Sequence, residues 1–289
     1  MSRIVVPLDE SELAEEALPW AASVARTLGL TVHLVAVWTY DTEIWIRSGI
    51  DPDQAPEKIA DALDAYLTRA AKSSALGGLT VTTEVRLGNV AEQLVEIAGE
   101  GDTRFIVITS HGRSGLRRLV QGSVADALAR TSPVPVLIVR AGERVTGLGR
   151  ILVTVDGSET GERALGPARE LAAAAKAQLH ILRAVNPIGE IAWAGIGPAP
   201  DMGEITRSMS EAALAYMRKI AKPGEVSEVQ YGRPLDVVIE YARDKKCDVI
   251  VMSTHGRGGV VRLALGSTTD AVVRAADRPV LVVPVGETP

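Results

Sequence analysis

The chain is written twice, and no other feature limits its possible folds so strongly. "RIVVPLDESELAEEAL", Arg3 to Leu18, is answered by "RILVTVDGSETGERAL", Arg150 to Leu165, so Asp9 maps to Asp156 at an offset of 147. "VHLVAV" is answered by "LHILRA" at the same offset, pairing His33 with His180. Further on, Gly112 maps to Gly256, Gly122 to Gly266 and Ser123 to Ser267 at an offset of 144. The second copy has therefore lost a net three residues, expected in the segment holding Trp45 or Trp193 or in the helix after it. At 289 residues and 46% hydrophobic content, each copy can bury a core of its own. The Gly-bearing connector "AGERVTGLG", Ala141 to Gly149, reads as a linker between domains at 1–143 and 148–289.

Within each copy, short β-branched runs alternate with longer helical patterns. In the first copy the runs are "RIVVPL", "TVHLVAVW", "LTVTTEVR", "RFIVIT" and "VPVLIV"; between them apolar residues recur at spacings of three and four. Continuous Val, Ile and Leu in such runs argues for a parallel sheet covered on both faces. Each half is thus predicted to be an α/β, doubly wound, five-stranded domain. Pro19 and Pro167 fall inside the first helical pattern of each half, which predicts a kink or a late helix start.

Composition excludes several functions. A net charge of -5 offers no basic stripe to neutralise nucleic-acid phosphates. The halves differ: 14 basic and 19 acidic residues lie before Leu148, and 17 of each lie beyond. "MSRIVVPLDE" meets acids too early for a secretory signal, and no apolar run approaches the roughly 18 residues of a spanning helix. A cytoplasmic protein without membrane contact is expected. Lone Cys247 fits a reducing compartment and reads as a small core hydrophobe.

In an open α/β sheet, ligands bind beyond the carboxyl ends of the strands, where strand order reverses. After the first strand come "LDES" and "VDGS"; after the fourth come "SHGRSGLRRLVQGS" and "THGRGGVVRLALGS". Both loops keep the glycine ladder, Gly112, Gly115 and Gly122 or Gly256, Gly259 and Gly266, and end in Ser123 or Ser267 before a helical stretch. Ser followed three residues later by Asp126 or Asp270 predicts a helix N-cap in an acidic variant of the capping box. Capping needs no glycine ladder, whereas a phosphate chain needs close backbone approach and free N–H groups at a helix start. The phosphate-binding loop of the GxxxxGK[ST] type is absent, and "GLGR" precedes a strand, the wrong context for a dinucleotide fold.

The loop resembles the ATP-binding motif of the universal stress protein family, G-x2-G-x9-G-[ST]. It runs from Thr109 through Gly112 to Gly122 and Ser123, and from Ser253 through Gly256 to Gly266 and Ser267. Both copies depart at the first position, where Thr109 and Ser253 replace glycine; a side chain there either crowds the sugar or adds a hydroxyl contact. The resemblance covers nearly the whole chain in tandem. It implies an adenine nucleotide alpha hydrolase-like sheet of order 3-2-1-4-5 in each half and ATP, with Mg2+, as ligand. Gly115 and Gly259 belong to the same loops. Asp9 and Asp156 would take a ribose or adenine role, with Ser11 and Ser158 left to cap the first helix; Val37 and Ala184 would meet adenine through their backbones.

The resemblance implies a non-catalytic, nucleotide-dependent stress-response protein with one site per domain. The alternatives are a slow ATPase and a nucleotide-free scaffold. Arg113, Arg118, Arg257 and Arg262 are solvated loop residues or contacts to phosphate or partner. The four histidines, His33, His111, His180 and His255, have no carboxylate at a sequence spacing that would orient them, and a metal site is not expected. "VPVLIV" and "RPVLVV" are apolar edge candidates. The family resemblance implies that such edges pair the two halves within the chain, and a homodimer is a further possibility.

Overall fold

Each apolar run becomes a parallel strand. The computed structural model describes residues 1–39, 55–110, 123–145, 147–186, 202–254 and 265–285, in two units, Met1–Val145 and Thr146–Pro289. The first unit holds β1 (Arg3–Pro7), β2 (Thr31–Trp38), β3 (Val81–Leu87), β4 (Thr103–Ser110) and β5 (Val136–Arg140). Their spatial order is β3-β2-β1-β4-β5, with all pairings parallel. The second unit repeats it with β6 (Arg150–Thr154), β7 (Gln178–Val185), β8 (Val226–Tyr231), β9 (Val249–Ser253) and β10 (Val280–Val283), in the order β8-β7-β6-β9-β10. In both units the order reverses between the first and fourth strands. Ile4, Val5, Val6, Ile151, Leu152 and Val153 are wholly buried, as a sheet covered on both faces demands.

The first unit's helices are α1 (Glu12–Glu15), α2 (Ala17–Leu28), α3 (Ala55–Ala70), α4 (Val90–Gly99) and α5 (Ser123–Thr131). The second unit's are α6 (Glu159–Glu162), α7 (Leu165–Ala175), α8 (Met202–Ile220), α9 (Pro234–Asp244) and α10 (Ser267–Ala275). The expected interruption falls between α1 and α2 and between α6 and α7. Pro19 and Pro167 each occupy the third position of the following helix, where a missing N–H leaves no intrahelical bond broken.

The placement of the length difference needs correction. The net loss lies neither in the segments holding Trp45 and Trp193 nor in the helix after them. Tyr66 in α3 matches Tyr216 in α8 at an offset of 150, so the second copy has gained three residues by this point, where α8 has 19 residues against 16 in α3, and then loses six by Gly232, the match of Gly88. The connector to the third strand spans 71–80 in the first unit, including a 3-10 turn at Ser74–Leu76, but only 221–225 in the second. The boundary between the units, Val145 to Thr146, falls inside the connector "AGERVTGLG", and each end of the connector is tied to its own unit. Gly142 N–H donates to the Glu16 carboxylate and Trp20 Nε1 donates to Glu143 O at 3.4 Å, while Gly149 N–H donates to Asp248 Oδ2 at 2.8 Å.

The strand histidines are oriented after all, by groups the sequence places far away. His33 Nε2 lies 2.8 Å from Glu84 Oε2 on β3 and its Nδ1 lies 2.8 Å from Thr82 Oγ1. Arg86 holds the same Glu84 and reaches Glu100 at 2.7 Å. In the second unit, His180 Nδ1 meets Tyr241 Oη at 3.0 Å, and that hydroxyl donates to Glu228 at 3.1 Å. Burial holds both imidazoles below the ordinary histidine pKa, Glu84 only partly offsetting it for His33. Burial alone would raise Glu84, but hydrogen bonds from Arg86 and His33 outweigh it and hold the carboxylate low. An imidazole with a lowered folded pKa binds fewer protons than it does unfolded, so stability is full above about pH 6.5 and falls as pH drops through that value. Chemical denaturation from pH 7.5 to 5 is expected to show this loss. H33Q/H180Q should flatten the slope, and an unchanged slope would contradict the assignment.

Candidate functional site

The carboxyl ends of β1 and β4 lie side by side because the strands pair, which brings the turn at Asp9 beside Thr109. Leu8 N–H donates to Val35 O at 2.8 Å, fixing where the chain leaves the sheet. Ser11 is the cap of α1, its Oγ accepting from Ala14 N–H at 3.1 Å. Ser158 caps α6 in the same way through Gly161 N–H at 3.0 Å. The aspartates are therefore not the caps. Asp9 Oδ1 instead accepts from Ser11 N–H (3.2 Å) and Ser11 Oγ (2.5 Å); Asp156 Oδ1 accepts from Ser158 at 3.0 and 2.6 Å.

The fourth strand of the second unit is tied to the start of α10. Gly266 N–H donates to Thr254 O at 2.7 Å, and Thr269 Oγ1 donates to Ser253 O at 2.9 Å. The two ends of the predicted loop, Ser253 on β9 and Gly266 with Ser267 at the start of α10, are thus held close together. Gly112, Gly115, Gly122, Gly256 and Gly259 lie outside the described residues, as do Arg113, Arg118, Arg257, Arg262, His111 and His255. Ser123 is the first residue of α5.

The predicted capping box is corrected by this geometry. Ser267 is the first residue of α10, and Gly266 is its N-cap, with no side-chain cap. Asp270 turns away to Arg274 at 2.9 Å, and Asp126 likewise to Arg130 at 2.9 Å. An i,i+4 ion pair has won over a reach back to the helix start. Gly266 has φ -55° and ψ 140°, angles any residue adopts, so the backbone does not demand glycine.

Val37 and Ala184 are half-buried near the ends of β2 and β7. The β1 register stops at Pro7 with Val35, and the β6 register stops at Thr154 with Leu182. Both residues therefore extend beyond β1 or β6 while still paired with β3 or β8, so a ligand could meet their backbone on the β1 or β6 side.

Three participants were not evident in the sequence. Tyr66 and Tyr216 project from α3 and α8; each buried hydroxyl lacks a hydrogen-bond partner of good geometry and lies in the field of Glu15 or Glu162. Burial, followed by that carboxylate, raises both phenols above their ordinary range, and Asp9 or Asp156 adds to it. The third is Arg183, buried on β7 and stacked 4.9 Å from the Tyr216 ring centroid, where the first copy has Ala36. The matching tyrosines were available as a signal; the shifted offset concealed them.

The two units also treat their aspartates differently. Gly161 stands where the first copy has Ala14, and a Cβ on Gly161 would come within 2.3 Å of Asp156 Oδ1. Asp156 is accordingly drawn in and half-buried, whereas Asp9 is exposed. The sites are related by sequence and distinct in chemistry.

The universal stress protein family model matches residues 1–140 and again 147–284. The chain belongs to the universal stress protein family. A universal stress protein of Mycobacterium tuberculosis is 26% identical over 292 residues, covering 96% of each chain. One from Methanocaldococcus jannaschii is 30% identical over 149 residues, covering 50% of this chain and 86% of its own. Among solved structures, a universal stress protein from Archaeoglobus fulgidus superposes with a TM-score of 0.68 at 20% identity, covering 98% of both chains. As a universal stress protein in tandem form, the chain carries the family fold twice. No helix among the described residues is long and apolar enough to cross a membrane.

Proposed function

We propose that this universal stress protein binds ATP, with Mg2+, at the carboxyl ends of the strands of each unit and acts as a nucleotide-dependent regulator rather than an enzyme. The observation that carries this reading is the start of α10: an N-cap glycine without a side-chain cap, tied to the end of β9, whose partner strand β6 leads to Asp156. A helix start contributes about 0.3–2 kcal/mol toward an anion, and each hydrogen bond to a charged group about 1.5–3. Several N–H groups of the glycine loop must therefore converge on the phosphates. Asp9 and Asp156 would bind the ribose, and the open backbone at Val37 and Ala184 would meet adenine. The regulatory role requires that ATP bind one conformation better than another.

No nucleophile is assigned, and Cys247 is no candidate: it is buried, and burial pushes its thiol up to about 11. Pairing through the apolar last strands, within the chain or between copies in a homodimer, belongs to the same proposal, as does a cytoplasmic location. The test follows phosphate release while ATP is bound to purified protein. Retention of bound ATP over hours without phosphate release is expected; steady release that disappears in D9N/D156N would replace the regulator with a slow ATPase.

A further inference from the structure

The second unit has a cationic pocket at the opposite end of its strands from the nucleotide loops. It is a concavity of about 860 Å³ whose lining includes Arg150, Lys176, Arg243, Lys246 and Arg278, together with Asp248. These residues precede or begin β6, β7, β9 and β10, roughly 16 Å from the carboxyl ends at about 3.3 Å per strand residue. The unit carries no excess of basic over acidic residues, so this is a local concentration of charge rather than a basic surface.

The first unit shows that the fold does not require it. Arg150 matches Arg3, but Lys176 matches Gly29, Arg243 matches Gly99, Lys246 matches Asp102 and Arg278 matches Val134. Two of these cations sit where the backbone favours glycine: Lys176 and Lys246 both have φ 52°, and Gly29, the first unit's counterpart of Lys176, has φ 67°. A left-handed residue other than glycine costs about 1–2 kcal/mol. Helix C-termini attract cations, which accounts for Lys176 and Arg243 in part, but α2 and α4 end without a cation at the matching positions, and Arg150 and Arg278 lie on no helix.

Few carboxylates oppose the cluster. Asp248 Oδ2 is committed to the Gly149 and Arg150 N–H groups at 2.8 and 2.9 Å, and Asp277 reaches Arg243 only at 3.7 Å. Two helix C-termini add about half a negative charge each, leaving a clear positive excess. Arg278 is held in place by the carbonyls of Cys247 and Asp277, both at 3.1 Å.

We infer that this pocket is a second anion site, built for a small molecule carrying two or more linked phosphate groups and independent of the nucleotide loops. Its volume suits a ligand of metabolite size. The test uses inorganic tripolyphosphate as probe in calorimetry at fixed low ionic strength, on the wild type and on K176G/K246G. Both substitutions place glycine in a left-handed position, so the variant should fold at least as well as the wild type. The expected result is tripolyphosphate binding weakened at least tenfold in the variant with ATP affinity unchanged, and protection of Lys176 and Lys246 from acylation in the wild type. Equal binding by the two proteins, no binding by the wild type, or preference for an acidic peptide over tripolyphosphate would overturn it.

Discussion

Replacing Gly266 with valine is expected to remove ATP from the second unit while leaving the first unit's binding intact. The backbone at φ -55° and ψ 140° accepts valine, and α10 keeps its buried Thr269, Val272 and Val273, so the fold should survive. What valine takes away is space: its branched side chain stands at the mouth of an uncapped helix start, where the phosphate oxygens must approach the N–H groups. Losing two charged hydrogen bonds at about 1.5–3 kcal/mol each corresponds to more than a hundredfold in affinity. Titration should then give one ATP per chain, with unchanged circular dichroism. G266A, with its smaller obstruction, should lie between the two. Unaltered stoichiometry in G266V would mean that α10 does not hold the phosphates.

The second large effect concerns stability. Trp20 is 1% exposed and comes from α2, whose Leu18, Ala21 and Val24 are buried too. Its indole N–H reaches Glu143 O, so one side chain fills the layer against the sheet and fastens the chain leaving β5. Trp20→Ala removes the largest of these buried volumes and should cost about 3–5 kcal/mol. Denaturation followed by far-ultraviolet circular dichroism should show an early transition in this variant. Trp20→Phe, which keeps most of the apolar volume, should recover much of the loss. A cost below about 1 kcal/mol for Trp20→Ala would show that the site collapses around the truncation and that the packing account is wrong.

The strands were legible because a parallel sheet buried on both faces needs uninterrupted Val, Ile and Leu, and those runs have no other economical use in a chain of this composition. The helix breaks near Pro19 and Pro167 were legible for an equally local reason, the missing N–H. The 3-2-1-4-5 order came from resemblance, since periodicity carries no information on which strands pair. What sequence concealed was set by cross-strand geometry: Glu84 orients His33 from 51 residues away, and Tyr241 joins His180 to Glu228 across two elements. The capping expectation failed at Asp270 because an arginine one helical turn later competes for the same carboxylate. The asymmetry of the sites rests on single residues, Gly161 for Ala14 and Arg183 for Ala36, whose meaning appears only once Asp156 and Tyr216 are seen beside them.

The central claim is that each unit binds one nucleotide. It is tested most directly by counting ATP on nucleotide-stripped protein, by calorimetric titration in the presence of Mg2+ with GTP as the comparison. The account predicts near two ATP per chain, two affinities that differ because Asp9 is exposed and Asp156 is drawn in, and weaker binding of GTP. Absence of ATP binding would contradict it and leave both glycine loops without the role assigned to them.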